Sequence, residues 1–302
     1  MNPVEFVFIL SRSFMEKSEY VRVSIPSMYK EEEKIINKIK NFSRKPWDIP
    51  EILLSDDKQV ENEKIIFYEL LANSVNYCYW YGKGDIRPND AGAFRMYELL
   101  AESFVEAIHG GSPKYYRQVA DNFIKKLIQY RFPMVMSRIL RIDELFGHNK
   151  EVAFCVRMAR SVEKEDIDIV EWMNDLIETF PGYGEDLFLK RASLFFIQLY
   201  RRRGWFSNSI DKLPAPADYQ IPKILHYYKC ISYSTELTNI IAKHEIISSG
   251  SLMECEIRAA TILACEELAK RANCSAAVVD EFLWTNRKEC KSNFHLTKTT
   301  DY

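Results

Sequence analysis

Asp218 is a carboxylate in apolar surroundings at the start of a predicted helix. Ala215, Pro216 and Ala217 precede it, and Tyr219 follows it. The free amides of a helix start keep such a carboxylate ionised, and it can then stabilise the positive charge that develops at an anomeric carbon when an N-glycosidic bond breaks. The simpler alternative is that Asp218 only caps the helix that follows.

A second acidic residue, Asp280, stands four positions before Trp284 in a predicted helix over 275–288. This spacing places both side chains on one face of the helix, among mostly apolar neighbours. A buried aspartate needs a hydrogen-bond donor, which the N–H edge of a heterocyclic base would supply, while Trp284 could stack on that base. Alternatively, Asp280 is exposed and stabilised by the helix dipole, and Trp284 belongs to the core.

Basic residues occupy both ends of a predicted helix over 187–202. Lys190 and Arg191 lie in its first turn, where the helix dipole disfavours positive charge, so they are candidate ligands of a phosphate group. Three arginines at 201–203 end the helix. Such a cluster is commonly solvated and opposes the dipole, which is the expectation here.

The segment 180–184, Phe-Pro-Gly-Tyr-Gly, separates two predicted helices in the manner of a helix-hairpin-helix turn. Such turns can present backbone amides to a phosphate. In helix-hairpin-helix base-excision glycosylases a catalytic aspartate follows at the start of a later helix, a position similar to that of Asp218. The alternative is an ordinary turn between two helices.

The elements that position these residues are predicted to be helical. The chain has 302 residues with only 10 glycines, and it shows no internal repeat and no linker. We therefore expect one predominantly helical, all-α domain over 1–302, with at most a small sheet around 75–86, where the aromatic run 76–80 lies. Helices are expected at the following positions: from Asn2-Pro3 to about Met15, 30–40, 91–108 ending at Gly110-Gly111, from Ser112-Pro113 onward, 166–179, 187–202, 221–231, 234–243, 252–271 and 275–288.

Composition excludes several classes of function. Lys plus Arg total 41 and Asp plus Glu 43, so the net charge of −2 disfavours stable binding to nucleic acid. The seven scattered cysteines form no CxxC pair and the histidines no ligand motif, which predicts neither a metal nor another cofactor. No apolar run reaches the roughly 20 residues of a membrane span, and the first residues lack the pattern of a secretion signal. We therefore expect a cytoplasmic protein without membrane contact.

Taken together, the segments resemble the queuosine salvage protein family, the queuosine 5′-phosphate N-glycosylases. The resemblance covers most of the chain and rests on the order and spacing of several segments, namely an Asn-Pro start, 76–80 (Asn-Tyr-Cys-Tyr-Trp), 180–183 (Phe-Pro-Gly-Tyr), 190–192 (Lys-Arg-Ala), 217–222 (Ala-Asp-Tyr-Gln-Ile-Pro), 254–258 (Glu-Cys-Glu-Ile-Arg) and 280–284 (Asp-Glu-Phe-Leu-Trp). It implies an all-helical fold similar to that of DNA glycosylases. It also implies hydrolysis of queuosine 5′-monophosphate, a small nucleotide, with release of queuine for salvage into tRNA.

The resemblance also implies roles for single residues. Asp218 matches the catalytic aspartate of an Ala-Asp-Tyr motif that includes Tyr219. Asp280 matches the acidic residue that reads the deazaguanine edge, and Trp284 is its companion in the motif.

The chain departs from the family at two positions of the implied substrate site. Pro216 stands where the family often has an aromatic residue, and Thr285 where an acidic residue tends to follow the tryptophan. Glu289, one helical turn beyond Thr285, could supply the missing carboxylate.

Two other functions remain open at this point. A helix-hairpin-helix DNA base-excision glycosylase would share the chemistry, but it would need a basic surface to hold duplex DNA. A non-enzymatic helical interaction scaffold would place Asp218 and Asp280 far apart on the surface, whereas either enzyme requires both to line one pocket.

Overall fold

The computed structural model describes residues 1–24, 30–82, 92–108, 115–164 and 167–302, with the backbone alone for 30–34 and 108. Some predictions fall outside these residues, namely the helix end at Gly110-Gly111, the helix start at Ser112-Pro113 and part of the predicted sheet, 83–86. The remaining predictions are compared with the structure below.

The described residues form thirteen α-helices and one two-stranded sheet, so the predicted all-α class is confirmed. The helices of the first half are α1 (Pro3–Glu16), α2 (Lys30–Lys40), α3 (Lys58–Ser74), α4 (Ala93–Ile108), α5 (Tyr115–Gln129), α6 (Val135–Asp143) and α7 (Lys150–Ser161). Those of the second half are α8 (Ile169–Thr179), α9 (Lys190–Arg203), α10 (Ile221–Tyr227), α11 (Thr235–Ala242), α12 (Leu252–Ala272) and α13 (Ala276–Thr285).

Helices α3, α6 and α7 were not predicted. Helix α3 has a physical reason to escape notice, because most of its length is buried on every side, including Glu69 and Asn73. A helix that is enclosed in this way carries no single apolar stripe, so its sequence lacks the 3.6-residue periodicity on which the prediction depends.

Capping hydrogen bonds are present at two of the predicted helix starts. Asn2 accepts a hydrogen bond from the Glu5 amide at 2.8 Å, and the Glu5 carboxylate accepts one from the Asn2 amide at 3.4 Å. At the start of α12, the Ser251 hydroxyl accepts a hydrogen bond from the Glu254 amide at 3.3 Å. Each cap satisfies a backbone donor that has no partner within the helix.

The small sheet lies elsewhere than predicted. Strand β1 (Val21–Val23) pairs antiparallel with β2 (Ile231–Tyr233), whereas the segment 76–80 is buried but joins no strand. Its carbonyls are bound by cations instead, since Arg138 donates hydrogen bonds to the Tyr77 and Cys78 carbonyls at 2.6 and 2.9 Å. Residues 76–80 therefore do not form the predicted strand, because buried cationic side chains bind the carbonyls that a neighbouring strand would otherwise bind.

The glycine-containing turn between α8 and α9 is a buried packing turn. Its amides are used internally, with Tyr183 N–H donating to the Phe180 carbonyl and Gly184 N–H to the Pro181 carbonyl. A Cβ at Gly182 would lie 2.4 Å from Oε2 of Glu144. The glycine thus permits close packing, and the likeness to a helix-hairpin-helix fold stays a prediction.

A fully buried ion pair joins the start of α9 to α12. Asp186 accepts two hydrogen bonds from the Arg258 guanidinium, both at 2.7 Å, and further bonds from the amides of Phe188 (3.0 Å) and Lys190 (2.7 Å). Burial acts to raise the pKa of Asp186, but the charge of Arg258 and these donors outweigh it and hold the pKa below its usual value. The third guanidinium donor of Arg258, Nε, binds the Ala217 carbonyl at 3.2 Å.

Helix α12 also connects the two hydrophobic clusters of the described residues. Ala259 and Ile262 belong to one cluster, and Ala260 and Leu268 belong to the other. The single domain over 1–302 that the sequence predicts stays a prediction. None of the described helices has both the length and the apolar character needed to cross a membrane.

We expect Asp186→Asn to lower the free energy of unfolding by about 3–5 kcal/mol, because it removes the 2.7 Å counter-ion of the buried Arg258 and leaves Glu254, at 3.6 Å, as its remaining ion-pair partner among the described residues. The matched control is Asp175→Asn, which breaks a 2.7 Å pair with Arg157 that is half-exposed on both sides. That change should cost at most about 1 kcal/mol. Urea denaturation followed by circular dichroism measures both values, and equal losses in the two variants would contradict the role assigned to Asp186.

Candidate active site

Asp218 and Asp280 line the same cavity, although 61 residues separate them in the chain. The space between the lining atoms measures about 500 Å³, part of which is open to solvent. It is lined by Trp47, Asn76, Ala93, Phe94, Tyr97, Lys190, Leu194, Gln198, Arg201, Pro216, Asp218, Asp280 and Trp284. We call it the inner cavity. The scaffold hypothesis required the two aspartates to lie far apart on the surface, so this arrangement contradicts it.

Asp218 both caps a helix and lines the inner cavity. Its Oδ1 accepts hydrogen bonds from the amides of Gln220 (2.7 Å) and Ile221 (2.9 Å), which precede and open α10. Within the described part of the chain, Oδ2 takes part in no such bond. The two interpretations of Asp218 are therefore compatible, since the amides that it caps also hold the carboxylate at the cavity wall.

Asp280 projects from α13 and is almost fully buried, with 4% of its surface exposed. Its Oδ2 accepts a hydrogen bond from Nη2 of Arg201 at 2.9 Å. Burial raises the pKa of Asp280 to about 6, the charge of Arg201 acts in the opposite direction, and the like charge of Asp218 raises the pKa further. The carboxyl group is thus ionised at neutral pH, and its proton affinity is unusually high.

The arginines that end α9 are not the solvated cluster expected from the sequence. Arg201 pairs with Asp280, and the buried Arg202 pairs with Glu69 at 2.5 Å. Both guanidinium groups meet a buried carboxylate, which compensates the cost of removing a charge from water. The sequence could not reveal this, because each partner lies on a different helix.

Lys190 lies close to both aspartates. It is buried, and its Nζ donates a hydrogen bond to the Asn76 carbonyl at 2.7 Å. Burial lowers the pKa of Lys190 to about 8, against the charges of Asp218 and Asp280, which raise it. The ammonium group balances two carboxylates that would otherwise repel each other.

Arg191 does not reach the cavity. Its guanidinium is buried and donates hydrogen bonds to the carbonyls of Ser74 (3.0 Å) and Gly182 (2.5 Å). Of the two basic residues predicted to bind a phosphate, the structure therefore brings only Lys190 to the cavity.

Aromatic rings form the wall of the inner cavity around Trp284. The ring of Trp284 lies 6.1 Å from that of Trp47 and 5.3 Å from that of Phe94, measured between ring centres. Trp284 thus lines the cavity as predicted, whereas Trp47 and Phe94 were not identified from the sequence. Neither residue has a local motif that could have identified it, because its role arises only from contact with Trp284.

A second, more open cavity adjoins the inner one, and we call it the outer chamber. The two share Asn76, Ala93, Phe94, Lys190, Asp218 and Trp284. The rest of the outer chamber is lined by Tyr77, Tyr79, Gly92, Arg95, Tyr219, Gln220, Arg287, Lys288 and Tyr302. Asp218 therefore stands where the two spaces join.

The remaining predicted site residues divide into two groups. Pro216 lines the inner cavity and Tyr219 lines the outer chamber, where its ring packs 4.8 Å from that of Phe294. Glu289 lines neither space, since it is exposed and accepts a hydrogen bond from the Tyr228 hydroxyl at 3.1 Å. Thr285, the last residue of α13, is also exposed and lines neither space.

Comparison with known proteins identifies the family. The sequence profile described as queuosine salvage protein matches residues 56–302. The chain belongs to the queuosine salvage protein family.

Several curated relatives are named queuosine 5′-phosphate N-glycosylase/hydrolase. The protein of Dictyostelium discoideum is 28% identical, over 94% of this chain and 94% of its own length. That of Schizosaccharomyces pombe is 31% identical over 76% of each chain. The protein of Sphaerobacter thermophilus is 29% identical over 80% of this chain and 82% of its own length. The resemblance inferred from short motifs is thereby confirmed over most of the sequence.

We expect Asp218→Asn to lower the pKa values of both Asp280 and Lys190, because the negative charge of Asp218 raises both. Carbon-detected NMR of labelled aspartate and lysine side chains would follow both titrations. Asp211→Asn, which removes an exposed carboxylate that lines neither cavity, serves as the control and should leave both values in place. Unchanged pKa values in Asp218→Asn would show that the two carboxylates do not interact.

Proposed function

We propose that the protein hydrolyses the N-glycosidic bond of queuosine 5′-phosphate and releases queuine for salvage into tRNA. One observation carries the proposal, namely that Asp218, Asp280 and Trp284 line a single cavity. The substrate is inferred from the names of the curated relatives. The alternative of a DNA glycosylase has no comparable support, and the net charge of −2 disfavours it.

Asp218 is proposed to act on the sugar. As the bond between the anomeric carbon and the base breaks, its electron pair goes to the base and positive charge develops on the sugar. A fixed carboxylate stabilises that charge more strongly in the transition state than in the ground state. A water oxygen then bonds to the anomeric carbon, and the base takes up a proton. Because Oδ1 is held by two helix amides, Oδ2 is the oxygen that we assign to the sugar.

Asp280 and the aromatic wall are proposed to hold the base. The flat ring of a 7-deazaguanine would stack against Trp284, near Trp47 and Phe94. The Asp280 carboxylate would accept hydrogen bonds from N–H groups at the edge of the ring. Arg201 occupies Oδ2 of Asp280 and keeps the carboxylate ionised, which leaves Oδ1 for the base.

Lys190 is proposed as a positioning residue. The negative charge of the partly buried Asp218 raises the pKa of the buried Asp280, because like charges disfavour ionisation. The Lys190 ammonium group opposes this effect, since its positive charge lowers the pKa of Asp280. This role replaces the phosphate contact expected from the sequence.

The proposed partner is a free nucleotide rather than a tRNA, and the proposed location is the cytoplasm. The first proposal rests on the inner cavity, which is lined by both aspartates, and on the near-neutral net charge. The second rests on the seven cysteines, all of which are free thiols, as is usual in a reducing compartment.

The direct experiment is to incubate the purified protein with queuosine 5′-phosphate and to detect free queuine and ribose 5-phosphate by mass spectrometry. Release of both products would establish the reaction. A correctly folded protein that releases neither would refute the proposed function.

We expect Asp218→Asn to retain the fold and to lose turnover by roughly 10²–10³ in kcat, the loss found when a preorganised electrostatic group is removed. The asparagine oxygen still accepts the hydrogen bonds from Gln220 and Ile221, so the free energy of unfolding should fall by at most about 1 kcal/mol. Steady-state kinetics and thermal unfolding give the two values. A folded variant with nearly wild-type kcat would show that Asp218 is only a helix cap.

We expect the affinity for queuine to depend on the ionisation of Asp280. As the pH falls below about 6, the carboxyl group takes up a proton and loses its charge, so binding should weaken. Asp280→Asn should remove this pH dependence and cost about 1.5–3 kcal/mol of binding free energy at pH 7. Calorimetric titration with queuine between pH 5 and 8 measures both effects.

Normal binding of queuine by a correctly folded Asp280→Asn variant would contradict the assignment of Asp280.

A further inference from the structure

The position of Asp218 between the two cavities fixes the direction in which a nucleotide must lie. This inference rests on the proposed function, in which the base enters the inner cavity and the sugar reaches Asp218. The rest of the nucleotide must then extend into the outer chamber, which adjoins the inner cavity at Asp218. The phosphate is therefore expected there.

Three cationic residues line the outer chamber without lining the inner cavity, and they differ in how far they are neutralised. Arg95 already pairs with Glu98 at 2.9 Å and with Glu102 at 3.4 Å. For Arg287 and Lys288, no carboxylate within the described ranges lies within 4.0 Å. Neither cation is therefore paired with a carboxylate among the described residues, although the negative charge of Asp218 also acts on Arg287.

The Arg287 guanidinium is held in place by contacts that do not neutralise it. Its central carbon lies 3.6 Å from the centre of the Trp284 ring, and its Nη1 donates a hydrogen bond to the Trp284 carbonyl at 2.8 Å. Stacking and a main-chain bond orient the planar group, while Nε and Nη2 remain available as donors. An oriented guanidinium with two free donors suits the oxygens of a phosphate.

We propose that Arg287 and Lys288 form the subsite for the 5′-phosphate of the substrate. Arg287 supplies a fixed fork of donors, and the exposed Lys288 adds a second positive charge at the same wall. The residues expected from the sequence do not serve this purpose. Lys190 is bonded to the Asn76 carbonyl and faces two carboxylates, and Arg191 is enclosed away from both spaces.

The arrangement connects recognition of the phosphate with recognition of the base. Arg287 binds the backbone and covers the ring of Trp284, the residue assigned to stack on queuine. A phosphate bound to Arg287 would hold that guanidinium against the ring and so favour one position of the aromatic wall. The preference for a nucleotide over a nucleoside should therefore depend on these two cations.

The experiment compares kcat/KM for queuosine 5′-phosphate with kcat/KM for queuosine in three variants. Arg287→Gln and Lys288→Gln should each lower the ratio of the two values by about 10- to 100-fold, the loss expected when one charged hydrogen-bond donor is removed. Lys291→Gln is the matched control, since it removes an exposed lysine from the same segment that lines neither cavity, and it should leave the ratio unchanged.

A binding measurement separates this proposal from the proposed function. The wild type should bind ribose 5-phosphate more tightly than ribose in calorimetric titrations, and Arg287→Gln and Lys288→Gln should reduce the difference. If the wild type binds both equally, or if the variants lose both substrates in proportion, the phosphate subsite is wrong even where queuine is released. If ribose 5-phosphate binding behaves as expected but no queuine forms, the subsite stands and the proposed function fails.

Discussion

The ion pair between Asp186 and Arg258 is the constraint on which the site depends. Both side chains are enclosed, and each uses its remaining hydrogen-bonding capacity on a backbone that leads to the cavity. Asp186 binds the amide of Lys190, whereas Arg258 binds the carbonyl of Ala217, the residue before Asp218. This ion pair thus fixes the backbone at Lys190 and next to Asp218. A buried pair of this kind contributes little net stability, but removing one partner is costly, so the geometry is firmly held.

The same principle recurs along α9, where buried cations are matched one by one. Arg201 pairs with Asp280, Arg202 with Glu69, and Lys190 with a backbone carbonyl beside two carboxylates. At the inner cavity itself, the two cations Lys190 and Arg201 balance the two carboxylates Asp218 and Asp280. Because each charge has an opposite charge nearby, burial raises the pKa of Asp280 only to about 6 and lowers the pKa of Lys190 only to about 8. Without their opposite neighbours, burial would shift both groups further towards their neutral forms.

The two departures from the family pattern have different consequences. Pro216 lines the cavity where an aromatic ring was expected, and in this chain Trp47 and Phe94 provide rings near Trp284. Thr285 points to solvent, so an acidic residue at that position would not line either cavity in this structure. The aromatic wall is therefore assembled from distant parts of the chain, and such a wall can tolerate the loss of one ring.

The sequence alone determined the helical class, and it selected Asp218, Asp280 and Trp284 as the candidate site residues that line one cavity, because these depend on local spacing or on motifs of the family. Only the tertiary structure decided which charged residues face the cavity. The positions of Arg191 and Glu289 in the sequence predict substrate contacts, but neither residue lines a cavity. The sequence predicts a solvated Arg201, whereas Arg201 pairs with the buried Asp280. Periodicity tells which face of a helix is apolar, whereas the partner of a buried charge is set by the packing of separate helices.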